Sequence, residues 1–99
     1  ALISNTTAND NTAVGALALY LNTTGASNSA FGRDALKANT TGTQNVAVGA
    51  YALDANTTTN ENVAIGYESL SSALTGGANV AVGSYALQDN TAAQYYGRR

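Results

Sequence analysis

The sequence predicts an all-β protein, a parallel β-solenoid (β-roll) made of coils of 17 residues. The main observation is an internal repeat in which asparagine, a short apolar segment and glycine return at a constant spacing. The repeats begin at Asn11, Asn28, Asn45, Asn62 and Asn79. A second observation is that bulky and small residues alternate after each asparagine, which is the period of a strand. Short strands at a fixed period predict coils that stack in register.

The repeat array is predicted to cover residues 1–91. Residues 1–10 match the second half of a repeat, so we expect a half coil there, followed by five coils that start at 11, 28, 45, 62 and 79. The next asparagine is due at position 96, where the sequence has Tyr96. We therefore expect residues 92–99 to form a C-terminal tail or the start of a linker.

Each coil is predicted to begin with a strand that ends at a corner. In the third coil Val46 and Val48 flank Ala47, and Gly49 closes the segment. A position that always takes glycine predicts a backbone with positive φ or a very close neighbour. These glycines are Gly15, Gly32, Gly49, Gly66 and Gly83. The asparagines that open the repeats are expected to stack as an amide ladder, one residue per coil.

The rest of each coil is predicted to contain a second short extended segment and a turn. The extended segment carries a leucine such as Leu53, and the Asn-Thr-Thr-Gly that follows favours a turn. A helical alternative based on twice the repeat length is disfavoured. Glycine and Asn-Thr-Thr recur too often for a helix of three turns, and β-branched residues crowd the first half of each repeat.

The stacked apolar columns are expected to form one narrow core of valine, isoleucine and leucine side chains. Accordingly, Val48→Asp is predicted to damage its own coil and both neighbours. The alanine between the two bulky residues of each strand never changes, which indicates a closely packed surface. Two interpretations remain open, because these alanines either line the solenoid's own interior or form a chain–chain interface. They are Ala13, Ala30, Ala47, Ala64 and Ala81.

Composition argues against several functional classes. Charged residues are 10% of the chain and the net charge is -2, so no basic surface for nucleic acid is expected. No apolar run approaches the roughly 20 residues of a membrane span. Histidine and cysteine are absent, which removes the usual general base, zinc ligands and thiol nucleophile. We predict no enzyme, cofactor, metal site, nucleic-acid partner or membrane insertion, and we interpret Asp34 and Glu68, which share a column, as solvated surface acids.

Three surface features can each be interpreted either functionally or structurally. Tyr51, Tyr67 and Tyr85 lie just after the corner glycines, where an aromatic strip would contact a glycan or would only cover apolar surface. Asn-Thr-Thr is a formal N-glycosylation acceptor, but turn chemistry explains it better. Ice binding by a threonine rank is disfavoured, because adjacent threonines point to opposite sides of the chain. The possible glycosylation acceptors are Asn5, Asn22, Asn39 and Asn56. The threonine rank is the column of stacked threonines Thr23, Thr40 and Thr57.

The strings NTAVGALAL, NVAVGAYALDANTTT, NVAIGYESL and NVAVGSYALQDNT resemble the head repeats of trimeric autotransporter adhesins. They resemble still more closely the 17-residue repeats of phage tail fibres and large bacterial surface proteins. The resemblance covers residues 1–91 and departs from the pattern at Ser29-Ala30-Phe31, at Ala73-Leu74 and in the C-terminal tail. It implies a left-handed parallel β-roll that trimerises about a common axis into a fibre.

These observations lead us to expect a structural protein, a rigid spacer segment of an extracellular fibre at a cell or virion surface. The expected partner is the chain itself, as a homotrimer or as a filament. One alternative is a filament subunit that stacks end to end through uncapped solenoid ends. Another is a module that binds a cell-surface glycan or receptor through the tyrosines.

Overall fold

The computed structural model describes residues 8–72 and 75–88, together with the backbone of 97–98. Within these residues the regular structure consists of strands, and no helix is present. The strands are β1 (Thr12–Val14), β2 (Ser29–Phe31), β3 (Val46–Val48), β4 (Val63–Ile65), β5 (Val80–Val82) and β6 (Gly97–Arg98). The predicted half coil falls on residues 1–10, of which 1–7 lie outside the described residues.

The strands form one parallel sheet in chain order, β1-β2-β3-β4-β5-β6. Each strand pairs with the strand one repeat later, so that Ala30 lies opposite Ala47 and Ala47 opposite Ala64. The predicted parallel β-solenoid with a coil of 17 residues is therefore confirmed.

The sheet continues beyond residue 91, into the segment that the sequence analysis expects to be a tail or the start of a linker. The backbone of Gly97 and Arg98 pairs with Val80 and Ala81 in the same register as every other strand. Backbone pairing tolerates many side chains, so it extends to a segment that no longer carries the Asn-Val-Ala pattern.

Gly15, Gly32, Gly49 and Gly66 have both of the features expected of the corner glycines, whereas Gly83 has only the positive φ among the described residues. The φ of Gly49 is +126, and a Cβ built on it would lie 2.7 Å from the carbonyl oxygen of Gly66 in the next coil. Glycine is therefore required by the backbone conformation and by the close approach of the neighbouring coil.

The predicted second extended segment is wrong. The residues that follow each corner form turns, and Leu36 and Leu53 both have a φ of 52°. The amide of Leu36 still donates to the carbonyl of Ala52 in the next coil, at 3.0 Å. A left-handed residue costs about 1–2 kcal/mol, whereas full burial of a leucine side chain contributes about 1.5–3 kcal/mol. Burial of the leucines offsets the backbone strain that closes so short a coil.

The interior is lined by leucine, alanine and asparagine rather than by the valines. The leucine column is fully buried from Leu19 to Leu70. The prediction of valine and isoleucine in the core is wrong, since Val48 is 37% exposed and Ile65 40% exposed. The basis for expecting Val48→Asp to damage three coils is therefore removed.

The alanines inside the strands occupy the interior instead. Ala30, Ala47, Ala64 and Ala81 are fully buried, and Ala13 in the first coil is partly buried against the same core. A chain–chain interface built from these alanines is excluded in a folded coil, because their side chains are enclosed by the chain's own residues. Their constancy is explained by the narrow interior, where a larger side chain would overpack.

Candidate self-association face and tyrosine corner

The outward side of the sheet forms a continuous surface that we call the outer face. It consists of the first and third residues of β1 to β5. These are Thr12, Val14, Ser29, Phe31, Val46, Val48, Val63, Ile65, Val80 and Val82. Because side chains alternate across a strand, placing the alanine inside forces both of its neighbours outside. The outer face therefore repeats once per coil.

The outer face is apolar, uncharged and open to solvent. Val14 is 56% exposed, Phe31 42% and Val82 49%. None of the ten positions carries a charged residue, and the only polar ones are Thr12 and Ser29 at the N-terminal end. Large contiguous apolar patches on soluble proteins commonly mark interaction sites. Most of the exposed large hydrophobic side chains among the described residues lie on the outer face.

The asparagines that open the repeats join each coil to the next. The side-chain oxygen of Asn45 accepts from the backbone amide of Asn62 at 2.9 Å. Its Nδ2 donates to the carbonyl of Thr59, also at 2.9 Å. The same oxygen-to-amide bond links Asn11 to Asn28, Asn28 to Asn45 and Asn62 to Asn79, at 2.9–3.0 Å. This ladder runs mainly from side chain to backbone, because Nδ2 of Asn11, Asn28 and Asn45 donates to a backbone carbonyl 14 residues further along the chain.

A second ladder, which connects side-chain amides directly, was missed by the sequence reasoning. Asn39 Nδ2 donates to Asn22 Oδ1, and Asn56 Nδ2 donates to Asn39 Oδ1, both at 2.9 Å. All three residues are fully buried. The sequence does contain a signal for this ladder, namely the asparagine that precedes Thr-Thr in successive repeats. That asparagine was interpreted only as a turn residue or as a glycosylation acceptor.

The buried amides also decide between turn chemistry and glycosylation. The Nδ2 of Asn22 donates to the carbonyl of Gly25, three residues on, as a local turn bond. A glycan on Asn22, Asn39 or Asn56 is incompatible with the folded coil, since the acceptor nitrogen is enclosed and bonded. The remaining acceptor, Asn5, lies outside the described residues.

The threonine rank takes part in the same corner. The hydroxyl of Thr23 donates to the carbonyl of Thr40 at 3.2 Å, and that of Thr40 to the carbonyl of Thr57 at 3.3 Å. The Thr40 carbonyl also accepts the backbone amides of Thr23, Thr24 and Gly25. These bonds give the rank a structural role in stacking the coils.

The three tyrosines named in the sequence analysis lie together. The ring centroids of Tyr51 and Tyr67 are 5.9 Å apart and those of Tyr67 and Tyr85 5.6 Å, with interplanar angles of 89° and 84°. Glu68 accepts a hydrogen bond from Nε2 of Gln88 at 2.9 Å. We call this group of five side chains the tyrosine corner.

Hydrogen bonding also fixes the central ring of the tyrosine corner. The Tyr67 hydroxyl donates to the Glu68 carboxylate, and this bond, followed by the negative charge of Glu68, raises the pKa of Tyr67. Tyr67 is 43% exposed and Tyr85 52% exposed, so both rings face solvent. The edge-to-face packing explains how exposed rings are held in fixed orientations.

Acidic residues lie beside the tyrosine corner. Burial raises the pKa of Asp54, and the charges of Glu68 and Asp34 raise it further, while its backbone hydrogen bond and Lys37 act in the opposite direction. A buried oxygen of Asp34, Oδ1, has no hydrogen-bond partner. The corner is therefore locally negative, with Lys37 as a partial counter-charge.

In the part of the chain that the structure describes, no group of three or more His, Cys, Asp or Glu residues is arranged to hold a metal ion. The same residues contain no helix with the length and apolar character needed to cross a membrane.

Comparison with protein-family models, with curated proteins and with solved structures finds no match to this chain. The geometry of the outer face and of the tyrosine corner is therefore the basis for the functions proposed below.

Proposed function

We propose that this chain is a structural protein, a rigid spacer segment of an extracellular fibre, in which copies of the chain pack through their outer faces. The single observation that carries the proposal is the exposed, uncharged apolar ladder that repeats once per coil. The likeness of the repeats to adhesin heads and tail fibres favours three chains about a common axis and a location on a cell or virion surface.

A second copy of the chain is the partner that fits the outer face best. The side chains of the outer face repeat at the strand spacing of about 4.8 Å. A second copy of the chain has bulky side chains, and gaps between them, at the same interval. A charged partner would have to lose its hydration against valine, isoleucine and phenylalanine without gaining an ion pair. The uncharged face therefore supports association with itself.

The rigid part of the proposal rests on the interior. The first asparagine ladder bonds every coil to the next, the second joins the first three coils, and the leucine column stacks without interruption from Leu19 to Leu70. In such arrays stability is a sum of terms between neighbouring repeats, so length adds stiffness without a new core.

The size of the outer face predicts weak association for this stretch of the array. Five strands at about 4.8 Å and three residues of about 3.3 Å each give a face of about 240 Å². A stable interface buries about 800 Å² per partner. We therefore expect oligomers that form only at high concentration, and tighter association when further coils are added.

Sedimentation equilibrium over a wide concentration range tests the proposal. The wild-type chain should form a discrete oligomer at high concentration. The Ile65→Lys variant places a charge on the outer face and should stay monomeric while keeping its circular dichroism spectrum. Thr58→Lys, at an exposed position of the Asn-Thr-Thr corner, is the matched control and should assemble as the wild type does.

The measured masses of the assemblies also distinguish packing through the outer face from end-to-end stacking of solenoid ends. Open-ended growth to long filaments that Ile65→Lys leaves unchanged would favour end-to-end stacking of the coils. A chain that remains monomeric at all concentrations would contradict both models of assembly.

A further inference from the structure

The tyrosine corner has an exposed surface that the assembly proposed above does not use. Gly66 separates Tyr67 from Ile65, the last residue of β4, so the ring lies beyond the end of the outer face. Edge-to-face contacts alone would be satisfied by phenylalanine, yet all three positions carry a hydroxyl. The rings, the carboxylate and the amide together offer apolar faces and hydrogen-bonding groups side by side.

The spacing of the rings is suited to a chain of pyranose units. Successive centroids are 5.9 and 5.6 Å apart, which is close to the length of one sugar unit in an extended, β-linked pyranose chain. Tyr51 and Tyr85 occupy the same place in coils two steps apart, which is about 10 Å along the rod. Because neighbouring ring planes are perpendicular, faces and edges alternate along the row.

Polar groups fill the position between the outer two rings. The Glu68 carboxylate is held by the Tyr67 hydroxyl and by Gln88 Nε2. Carboxylate and amide groups that are already fixed in place lose little entropy when they bond sugar hydroxyls. A sugar stacked on one ring would therefore find a donor and an acceptor beside it.

The charges of the corner indicate which sugars fit. Asp34, Asp54 and Glu68 bring three negative charges close together, and Lys37 offsets part of them. Burial and the neighbouring negative charges already disfavour the ionised form of Asp54, so a polyanion would add further repulsion. The site therefore disfavours sulfated, uronic and sialylated glycans.

We propose that the tyrosine corner binds a neutral, extended, β-linked polysaccharide strand that lies along the rod axis. Tyr51 and Tyr85 stack on alternate sugar units, and Glu68 and Gln88 bond the hydroxyls of the unit between them. The site lies within one chain, so it does not depend on the proposed self-association.

Isothermal titration with cellohexaose, chitohexaose and a hexamer of galacturonic acid tests the proposal. At least one of the two neutral hexamers should bind the wild-type chain, and the anionic hexamer should not. Tyr85→Leu, at the most exposed ring, should weaken binding at least about tenfold. Tyr67→Leu should do the same, because it removes the ring that packs edge-to-face against Tyr51 and Tyr85. Tyr67→Phe keeps that ring packing and should lose less affinity.

Tyr20→Leu is the matched control, because Tyr20 is a tyrosine two coils before Tyr51. It should leave the affinity unchanged, and thermal unfolding should show that each variant is folded. The proposal is overturned if neither neutral hexamer binds at millimolar concentration, if the galacturonic acid hexamer binds equally well, or if folded Tyr85→Leu binds as tightly as the wild type.

Discussion

In the third coil Ala47 is fully buried, whereas its neighbour Val48 is 37% exposed. The inner face of the same strands, from Ala30 to Ala81, admits nothing larger than alanine, and the outer face carries valine, isoleucine and phenylalanine. In an ordinary sheet with one solvated face the bulky residues are inside. Here the interior of the coil is already filled by the leucine and asparagine columns. The apolar bulk on the outside is then available for a partner.

The largest expected effect lies where neighbouring coils are in closest contact. Gly66→Ala should lower the free energy of unfolding by about 4 kcal/mol, since it combines backbone strain with a clash. The new Cβ would lie 2.6 Å from backbone atoms of Gly83, at a φ of +130. Urea denaturation of the purified variant measures the loss.

Gly83→Ala is the matched control for this change. Its φ is +125, but among the described residues the nearest atom to a new Cβ is the Cβ of Ala86, at 4.0 Å. It should lose only the strain contribution of about 1–3 kcal/mol. Equal losses in the two variants would show that the contact between coils is unimportant.

The next effect concerns the buried asparagine side chains of the interior. Asn45→Ala should cost about 3 kcal/mol, because it leaves the buried backbone amide of Asn62 without its acceptor and removes one of the two amide donors to the Thr59 carbonyl. Asn60→Ala is the control, since Asn60 is exposed and its Oδ1 accepts a single bond from the amide of Thr43. The same denaturation measurement should show less than about 1 kcal/mol for the control. A similar cost in both would mean that the ladder adds no stability.

The two faces of one strand can be compared directly with an enlarging substitution on the inner face and a polar substitution on the outer face. Ala47→Leu should destabilise the monomer by about 2 kcal/mol through overpacking of the interior. Val48→Thr, on the outer face, should change it by no more than about 0.5 kcal/mol. Thermal unfolding at low concentration keeps association out of both values. A larger loss for Val48→Thr would reverse the assignment of inside and outside.

The smallest effect is electrostatic and belongs to the acids beside the tyrosine corner. The pKa of Asp54 is raised in the folded chain, so between its ordinary value and the raised value the folded state binds more protons than the unfolded state. Stability should therefore increase as the pH falls through the raised pKa. Solvent screening keeps the effect under about 1 kcal/mol.

Asp54→Asn should stabilise the chain at neutral pH and flatten this part of the profile. Glu61→Gln is the control, because Glu61 is an exposed carboxylate at another corner. Thermal unfolding from pH 7 to pH 4 measures both variants. A wild-type chain that loses stability over the whole of this range, in parallel with Asp54→Asn, would contradict the expected sign.

The periodic features of the fold were predictable from the sequence, because the residues that recur every 17 positions fix the register between coils. The repeat length, the position of Val46–Val48 as a strand and the glycine that ends it all depend on local backbone preferences. The second segment failed because leucine in a left-handed conformation has no local signature. Only the closure of the coil requires it.

The inside and outside of the strand were not predictable from alternation alone. Alternation shows that a strand has two faces but does not show which of them is buried. Bulky apolar residues normally mark the buried face. A signal was nevertheless available, since Asn45 and Ala47 share one side of the strand. An asparagine ladder that joins coils must be internal, so the alanine is internal too. The tyrosine corner was predictable as a group, whereas its bonds to Glu68 and Gln88 depend on packing between coils.

The most direct test of the account is whether the outer face becomes protected when chains associate. The chain has no cysteine, so Val48→Cys introduces a single thiol on the outer face and Thr58→Cys a single exposed thiol elsewhere. The rate of thiol alkylation should fall with protein concentration for Val48→Cys and stay constant for Thr58→Cys. Rates that are independent of concentration for both thiols, in samples that contain oligomers, would contradict the claim that copies of the chain pack through this face.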